Sequence, residues 1–150
     1  MPPSGLGGKG PDVCTDGGGI WRNRQSALAG LAGRRVLVVE DDWLLASEIV
    51  RLLESANCRV IGPAPTVALA IAHIEGGQPF DAALLDINLQ GELSYEVADM
   101  LLARGVRLAF VTGYPKTVLP RRFDGIPLYE KPFEPHRVLS GLLADDAEPA

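Results

Sequence analysis

Val36-Leu37-Val38-Val39-Glu40-Asp41-Asp42 sets four consecutive apolar residues directly against three acids. A short apolar run rich in β-branched residues reads as a strand buried on both faces. The acids at its end place charge at the strand's C-terminal tip. Ala82-Ala83-Leu84-Leu85-Asp86 repeats the pattern. Two such strands side by side bring several carboxylates within a few ångströms. Like charges at that separation repel, so the pair predicts a site for a divalent cation.

Outward from these strands the pattern alternates. The strand Arg35–Glu40 is followed by a helix over Trp43–Ala56, in which Leu44, Leu45, Ile49, Leu52 and Leu53 form one apolar stripe and Asp41 or Asp42 caps the start. A strand over Arg59–Gly62, a helix over Thr66–Ile74 and the strand Asp81–Asp86 come next, then a loop over Ile87–Gly91. A helix over Tyr95–Arg104 and a strand over Leu108–Thr112 follow. Pro115 can open a helix that Pro120 should break, which leaves Pro115–Phe123 short, bent or mobile. The strand Ile126–Glu130 and the helix Glu134–Leu143 close the series. Five strands alternating with helices predict an α/β fold, a doubly wound parallel sheet with helices on both faces.

Composition narrows the function classes. The 150 residues are 47% hydrophobic and 22% charged with a net charge of −5, as in a soluble domain, and that balance argues against electrostatic binding to nucleic acid or an anionic membrane. No apolar stretch approaches the roughly 18 residues of a membrane span, and the N-terminus has no secretory pattern, which leaves the cytoplasm as the expected location. Cys14 and Cys58 give no sign of a disulfide or a metal cluster. Residues 1–33 are rich in Gly, Pro and Ser and are expected to form a loose tail with a helix near Asn23–Ala32; 34–144 form the domain, and 145–150 an acidic tail. Gly5-Leu6-Gly7-Gly8-Lys9-Gly10 matches a dinucleotide fingerprint in letters only, because no strand precedes it and no helix follows. Trp21 is the tail residue suited to docking. His73 and His136 lie on predicted helices as surface residues.

In doubly wound folds ligands bind beyond the C-terminal ends of the strands. Those ends carry Glu40 and Asp41, Asp86, Thr112, and Tyr129-Glu130-Lys131-Pro132. In order and spacing this set resembles the receiver domain of two-component response regulators, over about Arg34–Leu143. The resemblance implies a flavodoxin-like strand order of 2-1-3-4-5. It implies that Asp86 accepts a phosphoryl group from a histidine kinase or histidine phosphotransfer protein, in a Mg²⁺-dependent step. Glu40, Asp41, Asp86 and the backbone carbonyl of Asn88 would hold the metal. Lys131 would pair with Asp86 and then with the phosphoryl oxygens, Thr112 would hydrogen-bond the phosphoryl group, and Tyr129 would be the switch aromatic that rotates as Thr112 moves. The Lys131–Pro132 bond is a candidate cis peptide. Asp42 is expected as a helix cap or a weak neighbour of the metal.

Phe110-Val111-Thr112-Gly113-Tyr114 is similar to a subset of stand-alone receivers with a Phe-x-Thr-Gly-Tyr stretch, which adds Tyr114 to the switch; with Pro115 and Pro120 loosening the segment that follows, phosphorylation is expected to order it. No output domain is expected after the last helix, and signalling is expected through contact with a downstream protein or by phosphate relay rather than as an enzyme; a homodimer stays open. Three alternatives remain. A phosphatase with an aspartate nucleophile would need a second Asp where Asn88 stands. A flavodoxin-like redox module would need a phosphate-binding loop where Glu40-Asp41-Asp42 stands. A receiver that binds a partner without being phosphorylated would not need Asp86, Lys131 and Thr112 together.

Overall fold

The computed structural model describes residues 32–114 and 119–143. The Gly5–Gly10 motif, Cys14, Trp21, most of the expected N-terminal helix, Pro115–Val118 and the acidic tail lie outside them.

The apolar runs form strands β1 (Arg35–Val39), β2 (Arg59–Ala64) and β3 (Ala82–Asp86), with helix α1 (Trp43–Ser55) after β1 and α2 (Val67–Glu75) after β2. A two-strand hairpin, β4 (Asn88–Leu89) and β5 (Glu92–Leu93), precedes α3 (Tyr95–Ala103). Then come β6 (Arg107–Thr112), a single 3₁₀ turn (Arg121–Phe123), β7 (Leu128–Glu130) and α4 (Pro135–Leu143). The main sheet is parallel in the order β2-β1-β3-β6-β7, which is the expected 2-1-3-4-5 when its own strands are counted.

Alternation of side chains along these strands splits the core in two. Leu37, Leu85, Phe110 and Leu128 face α2 and α3, while Val38, Leu84, Val111 and Tyr129 face α1 and α4. Asp42 is the cap of α1: its side chain accepts the N–H groups of Leu44 and Leu45 at 3.0 and 3.2 Å. α2 is capped in the same way by Thr66.

Two details depart from the sequence reading. β2 runs past Gly62 to Ala64. At Gly62 φ is +100°, and a Cβ there would stand 2.8 Å from the carbonyl oxygen of Val38, so this close strand approach needs glycine. The expected loop after Asp86 contains the β4–β5 hairpin. The segment after Pro120 is short, as expected: the described residues 119–123 carry a single 3₁₀ turn over Arg121–Phe123. Both Gly62–Pro63 and Lys131–Pro132 are cis.

Phe123 anchors that turn. It is fully buried, with its ring centroid 5.3 Å from Phe110 and 5.5 Å from Tyr95. The neighbouring Arg122 forms a two-bond pair with Asp99 of α3 at 2.9 and 3.1 Å. Deleting so large a buried ring leaves a cavity. Phe123→Ala is expected to lower stability by about 3–5 kcal/mol in urea unfolding, whereas Leu69→Ala on the exposed face of α2 should change it by less than about 0.5 kcal/mol.

Candidate functional site

Each main-sheet strand delivers its last residues to the same edge. β1 presents Glu40, β3 presents Asp86 and β6 presents Thr112, all of them buried polar groups in an otherwise apolar interior. Lys131 follows β7. Its Nζ donates to Asp86 Oδ2 at 2.7 Å and to Glu40 Oε2 at 2.9 Å, so one ammonium bridges two carboxylates from different strands. With Glu40 3% and Asp86 4% exposed, these are charges largely withdrawn from water, and each needs its partner.

The other oxygens are also assigned. Asp86 Oδ1 accepts the N–H of Asn88 at 3.1 Å, and its backbone carbonyl accepts from the buried hydroxyl of Ser94 at 2.7 Å. Glu40 Oε2 also accepts the N–H of Asp42 at 3.0 Å. Asp41 Oδ2 accepts the N–H of Gln90 at 3.0 Å. Thr112 Oγ1 accepts the N–H of Tyr114 at 3.1 Å, and the Thr112 carbonyl accepts the N–H of Lys131 at 2.7 Å. Ser94 and Gln90 were not legible as site residues from their chemistry. Ser94 sits at the helix-opening position, and Gln90 acts through its backbone.

One carboxylate oxygen each from Glu40, Asp41 and Asp86 lies within 4.8 Å of the others. Glu40 Oε1 is buried with no hydrogen-bond partner, which is the kind of orphaned acceptor that a bound cation satisfies. An all-oxygen donor set of this kind fits a hard divalent ion such as Mg²⁺. Asn88, placed fourth in the expected metal shell, is beside Asp86 through its N–H, and its side-chain oxygen is engaged by the N–H of Gly91 at 2.7 Å. An amide at this position cannot act as the general acid that a phosphatase would need.

Tyr129 does not join this group. In the β6–β7 register Val111 pairs with Tyr129 and Thr112 with Glu130. Adjacent residues point to opposite faces, so Tyr129 packs with the α1–α4 core, whereas Phe110, Thr112's neighbour two residues back, packs with the α2–α3 core. The Tyr129 hydroxyl lies 3.1 Å from where a Cβ on Gly141 of α4 would stand. Tyr129 therefore does not face the space that Thr112 would vacate, as the expected rotation needs. The side chains on Thr112's face of β7 are Glu130, its register partner, and Leu128. Tyr114, by contrast, adjoins Thr112 and is 61% exposed.

No family model matches the chain. It is 32% identical over 114 residues to the phyllosphere-induced regulator PhyR of Methylorubrum extorquens, across 74% of this chain and 43% of that protein. Among solved structures it is similar to a response regulator receiver domain protein (CheY-like) of Methanospirillum hungatei JF-1, at 28% identity, TM-score 0.62, and 73% and 90% coverage of the two chains. The BeF₃-activated conformation of SdrG from Pseudomonas melonis Fr1 aligns at 37% identity and TM-score 0.60, over 75% of this chain and 96% of that one. The chain belongs to the response regulator receiver domains. This receiver spans less than half the length of the curated relatives it matches. Among its described residues no helix is long and apolar enough to cross a membrane.

Burial pushes the Glu40 carboxyl of this receiver up to about 7, and the negative charge of Asp86 adds to the rise, against the lowering hydrogen bonds from Lys131 and the N–H of Asp42. Burial works to lower Lys131, but its bonds to Asp86 and Glu40 outweigh it and hold the ammonium above its ordinary value. The folded chain thus keeps the Glu40 proton to higher pH than the unfolded chain does. In cation-free solution this group's contribution to stability should be full below about 4.5 and should decline as pH rises through about 7. Urea midpoints across that window should fall for the wild type and stay flatter for Glu40→Gln.

Proposed function

We propose that this receiver is a phosphorylated signalling switch in which Asp86 is the phosphoacceptor. The observation that carries the reading is the Lys131 bridge, which holds a buried, anchored carboxylate beside an incomplete acidic cluster. The BeF₃-activated state of the similar SdrG domain supports it.

In the proposed step an Asp86 carboxylate oxygen attacks the phosphorus of a phosphohistidine on a histidine kinase or phosphotransfer protein. A P–O bond forms, the P–N bond breaks, and the leaving imidazole nitrogen takes up a proton. Mg²⁺, held by Glu40, Asp41, Asp86 and the Asn88 carbonyl, would supply positive charge against the phosphoryl oxygens. Lys131 is already on the carboxylate and can follow the charge onto a phosphoryl oxygen. The Asn88 N–H on Asp86 Oδ1 fixes the carboxylate plane, leaving the attacking orientation set by two different bonds.

Phosphorylation adds roughly −1.5 to −2 charges at Asp86. The Thr112 hydroxyl can then donate toward the new acceptor. Because the Tyr114 N–H is bonded to the same oxygen, movement of Thr112 carries Tyr114 with it. The Phe-x-Thr-Gly-Tyr stretch thereby couples the site to an exposed aromatic, which a downstream protein can read. We place the protein in the cytoplasm with its phosphodonor.

Treatment with acetyl phosphate and Mg²⁺ should add one phosphoryl mass to the wild type and none to Asp86→Asn, and a chelator should abolish the reaction. Thr112→Ala removes one hydrogen bond to a charged group and should slow labelling roughly ten- to hundredfold. Equal labelling of wild type and Asp86→Asn would overturn the assignment.

A further inference from the structure

The β4–β5 hairpin links the two acidic strand ends through its backbone. Asp86 Oδ1 accepts the N–H of Asn88, Asn88 Oδ1 accepts the N–H of Gly91, and the N–H of Gln90 between them donates to Asp41 Oδ2. The tip turns through two left-handed residues, Gln90 at φ +54° and Gly91 at φ +92°. The left-handed region is costly for a side chain such as that of Gln90, so the conformation must be held by what it achieves. Its base is pinned as well, by Ser94, whose hydroxyl donates to the Asp86 carbonyl and whose N–H donates to the Ile87 carbonyl.

We infer that this hairpin is a positioning clamp that sets the spacing of Asp41 and Asp86 and makes the cation site selective for a small ion, with Gln90 acting through its N–H. The inference rests on the proposed Mg²⁺ site. The physical reason is the difference between the two common hard cations. Mg²⁺ demands near-ideal octahedral geometry at short distances, whereas Ca²⁺ accepts six to eight oxygens in flexible arrangements. A carboxylate held by such a hydrogen bond cannot swing outward to widen the site. Freed from it, Asp41 can rotate, which penalises the small ion and spares the large one. Bonds to the back of a metal ligand typically matter by about 10–100-fold in affinity.

Two variants separate the clamp from general damage. Gln90→Pro removes the N–H and fixes φ near about −65°. Gln90→Gly keeps the donor and favours the left-handed turn. Titration of each 150-residue chain with MgCl₂ and with CaCl₂, followed by amide NMR shifts and by calorimetry, reads the affinities without reference to phosphorylation. Gln90→Pro should bind Mg²⁺ about tenfold more weakly than wild type and Ca²⁺ within about twofold, while Gln90→Gly should match wild type for both. If Gln90→Pro binds Mg²⁺ as the wild type does, or loses both cations by the same factor, the clamp is overturned while the phosphoacceptor reading stands. A wild type that binds neither cation overturns the Mg²⁺ site and the clamp together.

Discussion

The Lys131 ammonium is the interaction on which this edge of the molecule depends. It lies between Glu40 and Asp86, two buried carboxylates from neighbouring strands, and is itself delivered from beyond the far edge strand. Without that cation, the like charges at the ends of β1 and β3 would repel inside an interior that hydrates them poorly. The bridge therefore draws β1, β3 and the chain beyond β7 toward one point. It leaves a site whose charge is unbalanced by design: two acids share one base, Asp41 stands close by, and one Glu40 oxygen has no partner. Such an arrangement is tolerable when empty and is improved by a second positive charge.

Much of this was legible in the sequence because the decisive signals are local. An apolar run that ends in acid identifies both a buried strand and its tip, so Glu40, Asp41, Asp86 and Thr112 fall at the same edge once the fold is parallel. Asp42 was readable as a cap because only a short side chain at that position can reach the first free N–H groups of a helix. The strand order followed from the resemblance rather than from the residues themselves.

The misses have separate physical causes. β7 has three residues, too few for an alternating pattern to fix its register, so counting back from Lys131 could not say which face Tyr129 occupies. The hairpin after Asp86 has strands of two residues each. Its signal was present in Leu89-Gln90-Gly91-Glu92, since a residue followed by glycine between short strands marks a tight turn. The contribution of Gln90 runs through its main chain, and its side-chain type carries no trace of that. The extension of β2 to Ala64 was hidden by Gly62-Pro63, which ordinarily ends a strand.

That same Pro63 sits in one border strand of the sheet, where proline offers no N–H to a newcomer. The other border strand is three residues long, and Pro127 and Pro132 bracket it closely. Short edges and edge prolines are how natural sheets refuse to extend themselves through another chain. Adding a strand from another chain is thereby discouraged at both borders of this sheet.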